Sequence, residues 1–305
     1  MTVESHDPNV AALLAYHRAS DPEALIERLC AALLDKAGVT VPVDLDVLAS
    51  YRNAEVRIMD QDQPESIVWD GKRFLILLRR EDSNGRRRFS CAHAIVHTYF
   101  MQVSVPAGTG ARVQNSWSQR EESLCDLGAA SLLLPRQSFM AAFPDVPTMD
   151  DVLDAAGTFE ASAEATAIRA VTLSAVPMAM VVLEPRLKPT EVKLAARRRT
   201  QPSFPGMDYG VDPVPKLRVQ RSYGWGLKFI PKHKAVDDSS PLADVTARDA
   251  VDYVGECGLL PGKVRVSARR LPIRYGNELV DRVVALIVDV RAEQARARTS
   301  RQRSG

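Results

Sequence analysis

One stretch constrains this chain more than any other: Arg88-Phe89-Ser90-Cys91-Ala92-His93-Ala94-Ile95-Val96-His97-Thr98-Tyr99-Phe100. Phe89, Ala92, Val96, Tyr99 and Phe100 recur at helical spacing, and Ser90 reads as a cap close to the helix start. Positions four apart share a helix face, so His93 and His97 point the same way about one turn apart. Two imidazoles so placed grip one metal ion when a third ligand arrives from elsewhere and a fourth position stays open to water. The same pair fits an ordinary half-buried helix, and the stretch alone leaves both readings open.

The pattern is His-x-x-x-His. In the fuller His-Glu-x-x-His, the Glu after the first His is the general base of a metallopeptidase. Ala94 stands at that position, and its methyl group can neither take a proton from water nor give one to a leaving amine. A candidate third ligand lies in Glu121 to Pro135. That segment reads as a helix with an acidic first turn, then small and aliphatic residues, stopping at Pro135. The small residues let it pack closely on another helix, with Glu122 aimed at the histidines. Asp126, one turn on, reads as an acceptor that orients a ligand histidine. Cys91 and Cys125 sit near these ligands, so either could touch the metal, although the reading as small buried hydrophobes is preferred.

Phe89 to His97 resembles the Arg-Phe-Thr-Leu-Ala-His-Glu-Ile-Gly-His signature of the ImmA/IrrE metallo-endopeptidases. Glu122 to Pro135 resembles that family's second signature: Glu, a small residue, Asn or Asp, two alanines, then Leu-Leu-Met-Pro. The likeness is strongest to the branch that controls the radiation-desiccation response in Deinococcus. The resemblance implies a zincin-like fold and zinc, or manganese, held by His93, His97 and Glu122. It implies endopeptidase chemistry on a helix-turn-helix transcriptional repressor, whose cleavage induces a stress or mobile-element response. It also implies that Ala94 replaces the catalytic Glu, so that this chain is expected to be inactive.

The fold class expected is α+β. Asn9 to Tyr16, Pro22 to Leu34 and Asp44 to Ala49 read as helices, with Asp21-Pro22 as a start and Gly38 as a stop. Ala54 to Met59 reads as a strand. Ser66 to Trp69 and Arg73 to Leu78 read as a hairpin about Asp70-Gly71, giving a small antiparallel sheet. Arg79 to Arg88 reads as a charged loop with a solvated arginine run, and Val105 to Ser118 as a loop beside the cleft. Met149 to Ala156 and Ala161 to Thr172 read as short helices around Gly157. The resemblance makes them helix-turn-helix-like, whereas Arg169 as the sole base-reading cation favours a plain helical extension. Pro177 to Leu183 reads as a strand.

Pro185 to Pro215 carries six prolines and Arg197-Arg198-Arg199, a linker composition. Beyond it, strands are expected at Leu217 to Tyr223, Gly226 to Ile230, Val264 to Ala268 and Val280 to Val290, with a helix at Thr246 to Val254. The resemblance implies a GAF-like sensor there. The expected division is residues 1–147 metallopeptidase domain, 148–184 extension, 185–215 linker, 216–290 sensor domain and 291–305 disordered basic tail.

Three functions compete: a zinc endopeptidase silenced at Ala94, a non-catalytic zinc-stabilised regulator that binds a repressor or senses a ligand, and a DNA-binding regulator. A net charge of +2 over 305 residues argues against direct nucleic-acid binding, which usually shows as a strong basic excess. No apolar run reaches membrane-spanning length, the N-terminus lacks a signal-peptide pattern, and four scattered cysteines suit reduced thiols, so a cytoplasmic protein is expected.

Overall fold

The computed structural model describes residues 7–104, 117–200, 212–275 and 278–294. The chain divides into two compact units, Met1–Phe143 with Leu153–Arg169, and Pro144–Val152 with Ala170–Gly305. Among the described residues, no helix is long and apolar enough to cross a membrane.

The first unit opens with three capped helices, α1 (Pro8–His17), α2 (Pro22–Ala37) and α3 (Leu45–Tyr51). Asp7, Asp21 and Asp44 each accept backbone N–H bonds at the helix starts, and Gly38 ends α2 at φ 77°. Strands β1 (Ala54–Met59), β2 (Glu65–Trp69) and β3 (Phe74–Arg79) form a sheet in the order β1-β3-β2. β2 and β3 make the expected hairpin, closed by Asp70 N–H donating to Arg73 O at 3.1 Å. β1 lies parallel to β3, so the sheet is mixed, correcting the expectation of an antiparallel one. The physical reason is burial: β3 places Phe74, Ile76 and Leu78 in the core and takes the centre.

Helix α4 runs from Asn84 to Ser104 and α5 from Gln119 to Leu133. The expected loop 79–88 therefore becomes helix from Asn84, and Ser90 is a buried interior residue, not a cap. The arginine run is not simply solvated. Arg87 donates to Arg80 O and Asp82 O, and Arg88 donates to Val43 O. The expected loop at 105–116 lies outside the described residues, while Ser118 caps α5 by accepting from Glu121 N–H. α6 (Arg136–Ala142), α7 (Met149–Phe159) and α8 (Ala163–Leu173) follow. Gly157 sits inside α7, and the turn comes at Glu160, with φ 50°. Arg169 is buried, donates to Leu134 O at 3.1 Å and lies 3.7 Å from Glu27, so it serves packing and is not displayed to read bases.

The second unit is built on a five-stranded antiparallel sheet. β4 (Met178–Arg186), β5 (Lys216–Trp225), β6 (Ala250–Gly255), β7 (Val264–Arg270) and β10 (Val283–Asp289) take the order β5-β4-β10-β7-β6. A short pair, β8 (Ile273–Tyr275) and β9 (Glu278–Val280), precedes β10. Val181, Leu183, Val219, Val266, Ala285 and Ile287 belong to one apolar core.

Several expectations fail here. β4 belongs to this sheet and not to a separate extension. The expected linker contains helix α9 (Pro189–Thr200), held by Glu191, which pairs with buried Arg218 of β5 at 2.9 Å; residues 201–211 lie outside the described residues. Thr246 to Val254 is not a helix. A 3-10 turn (Pro241–Asp244) and one helical turn, α10 (Val245–Arg248), end at Asp249 with φ 62°, and β6 then pairs with β7. Gly226 to Ile230 forms no strand, because Gly226 turns the backbone to φ 69°. At the expected tail, Asp289 accepts from Arg291 and Ala292 N–H, and Glu293 pairs with Arg265; 295–305 lie outside the described residues.

Candidate metal centre

Two helices build the site. α4 supplies His93 and His97, and α5 supplies Glu122, Cys125 and Asp126 at i, i+3 and i+4 spacing, one face of the helix. The helices approach closely because α5 has Gly128 at the crossing: a Cβ there would stand 2.6 Å from Val96 Cγ2.

His93 and His97 are buried, with ring centroids 4.7 Å apart. His93 Nε2 lies 3.4 Å from one Glu122 oxygen and His97 Nε2 lies 3.7 Å from the other. Asp126 Oδ1 is 3.5 Å from the same nitrogen of His93. Donors around a tetrahedral zinc, with bonds of about 2.0–2.3 Å, sit roughly 3.3–3.8 Å from one another. The spacing between the imidazoles and Glu122 is of that size. Both ring nitrogens of His97 are also buried without a hydrogen bond, which costs free energy unless something binds them. The residues present therefore fit a divalent metal.

The outward ring nitrogens face carboxylates, that of His93 with a hydrogen bond and that of His97 without one. Glu65, the first residue of β2, contacts His93 Nδ1. Glu121, fully buried, lies 3.5 Å from His97 Nδ1 and accepts from Asn9 Nδ2 at 3.0 Å. Trp117 stacks on His97 with centroids 4.4 Å apart. A carboxylate on the far nitrogen fixes a ligand histidine's tautomer and raises its basicity. In the metal-free protein, burial works to lower the His93 pKa, but hydrogen bonds with Glu122 and Glu65 outweigh it and raise the value to about 10. The His93 bond holds the Glu122 carboxyl below its ordinary range.

The structure brings His93, His97, Glu122 and Asp126 together. Asp126 faces Nε2 rather than the outward nitrogen of His93, which Glu65 occupies. Glu65 was missed because it lies 28 residues away on a strand. Glu121 was visible only as an acidic first-turn residue. Cys125 reads from sequence as core with metal contact as the alternative, and one ring nitrogen of each histidine and its sulfur all lie within 4.8 Å of one another. Burial, and then the carboxylates of Glu121, Glu122 and Asp126, push its thiol well up. Ala94 is fully buried in α4 and brings no proton acceptor.

Residues 49–171 match the peptidase family model described as IrrE N-terminal-like domain. Every site residue named above except Asn9 falls within that stretch, and the match supports the ImmA/IrrE resemblance over it. Among solved structures, a Mycobacterium tuberculosis transcriptional regulator is similar at TM-score 0.56 and 14% identity, over 94% of this chain and 81% of that one. At that identity the likeness is one of fold. Comparison with curated proteins yields no match.

Proposed function

We propose that this chain is a regulator of the ImmA/IrrE type that holds zinc, or manganese, through His93, His97 and Glu122 and engages a helix-turn-helix transcriptional repressor without cutting it efficiently. The observation that carries this reading is the convergence of both Nε2 atoms on Glu122 beside a buried alanine. His93, His97 and Glu122 would hold the ion, which when bound would supply Lewis-acid polarisation of a scissile carbonyl and of a bound water. Ala94 leaves that water's proton without the acceptor a Glu would provide, and general acid–base help is typically worth about 10²–10⁴-fold.

β2 is an edge strand whose first residue touches His93, so an extended repressor segment added to that edge would lie beside the metal. The regulatory role draws support from the similar regulator of known structure. Release of the repressor's target genes, in a stress, DNA-damage or mobile-element response, is the output this reading implies.

A second reading, a ligand-sensing regulator, is favoured by the separate core of the second unit. In that reading residues 216–290 are the GAF-like sensor.

The test is metal analysis of the purified chain, repressor binding by calorimetry, and cleavage after Ala94→Glu. Stoichiometric metal and repressor binding, with any chelator-sensitive cleavage confined to the variant, support the first reading. Metal with no repressor binding favours the second.

A further inference from the structure

We propose that Cys125 is the fourth protein ligand of this metal centre, closing it as a His93, His97, Glu122, Cys125 site with no position left for water. The inference rests on the metal reading above and goes beyond it, since a three-ligand centre is open and a four-ligand tetrahedral one is structural.

Three observations carry it. Cys125 sits one turn after Glu122 on the same face of α5, the spacing that lets two side chains of one helix reach one ion. Its sulfur and one nitrogen of each histidine lie within 4.8 Å of one another, and all three residues are buried. Both ring nitrogens of His97, 2% exposed, are buried without a hydrogen bond.

Asp126 competes for the role and loses on geometry. Its carboxylate is close to His93 alone among the two histidines, and its side chain is 63% exposed. On metal uptake the Cys125 S–H bond breaks, the sulfur's electron pair binds the ion and the proton leaves to solvent. One carboxylate and one thiolate then balance a divalent charge between two neutral imidazoles. A thiolate shifts preference towards zinc, cobalt and cadmium and away from manganese and magnesium.

The test is cobalt substitution of the reduced full chain, read by absorbance, with Cys125→Ala, Cys125→Ser and Cys91→Ala beside it. Cys91 is buried on α4 and lies outside the group, so it controls for loss of a core thiol. The expected result is a thiolate-to-cobalt charge-transfer band in the near ultraviolet. The band persists in Cys91→Ala and vanishes in both Cys125 variants. Metal affinity in those variants falls by more than the roughly 10–100-fold typical of losing a residue that only orients a ligand. Circular dichroism of the metal-free variants checks that they fold. Cobalt bound at the two histidines without the band, in the unsubstituted protein, overturns the inference and leaves the three-ligand reading standing. No cobalt bound at all overturns both.

Discussion

Glu65, at the start of β2, meets the Nδ1 of His93, the nitrogen turned away from Glu122. Glu65→Ala is expected to weaken metal binding by about 10–100-fold, the usual cost of removing a carboxylate that orients a ligand histidine. Glu65→Gln, which keeps an acceptor oxygen but no charge, should lose less. Competition against a chromogenic chelator measures both. An unchanged affinity in Glu65→Ala would mean that the β2 contact does not reach the metal.

The metal-free protein should lose stability as pH rises. The His93 pKa goes from 6.5 to about 10 on folding, because hydrogen bonds with Glu122 and Glu65 outweigh burial. A raised value means that the folded state holds the proton more tightly than the unfolded chain. This contribution is complete below about pH 6.5 and is lost as pH climbs through about 10. Glu122, whose pKa is depressed by the same bond, contributes above its ordinary value and loses that contribution in acid. Thermal melts of the chelated protein should therefore fall between pH 7 and 10. His93→Gln should flatten that decline.

Gly128 sets the distance between the ligand helices. A Cβ at 128 would come within 2.6 and 2.9 Å of the two methyls of Val96, the residue before His97, and 3.1 Å from Ile26 Cγ2. Gly128→Ala should cost about 1–3 kcal/mol through overpacking. It should also weaken metal binding, by moving Glu122 away from the histidines. Pairing it with Val96→Ala should recover much of both losses in denaturant melts and chelator competition.

The legible part of this protein is the part set by local periodicity. His93 and His97 share a face because of the helical repeat, and Glu122 was found from a helix with an acidic start and small residues behind it. Glu65 was not legible, because its place depends on the β2–β3 hairpin lying against α4. The parallel pairing of β1 with β3 was hidden for a similar reason: the choice of central strand follows burial of Phe74, Ile76 and Leu78, not chain order. In the second unit, Val251, Tyr253 and Val254 were assigned to a helix, yet pairing with β7 draws them into β6. The proline count over 185–215 suggested a linker, while Glu191 on α9 was already committed to Arg218.

Restoring the missing base tests the site as a whole. Ala94 is fully buried, so Ala94→Glu must find room for a carboxylate in a packed helix, and overpacking typically costs about 1–3 kcal/mol. If Cys125 closes the centre, that variant still lacks a position for water, and repressor cleavage should stay slow. Ala94→Glu combined with Cys125→Ala regains both the acceptor and the open position, at the price of weaker metal binding. The double variant, assayed at saturating zinc, should cut faster than Ala94→Glu alone, approaching the roughly 10²–10⁴-fold that a placed general base supplies. Cys125→Ala alone should remain inert, since nothing beside the metal takes the water's proton. Equal rates in Ala94→Glu and the double variant would show that the thiolate does not block the water, and that the alanine at 94 is the whole reason for inactivity.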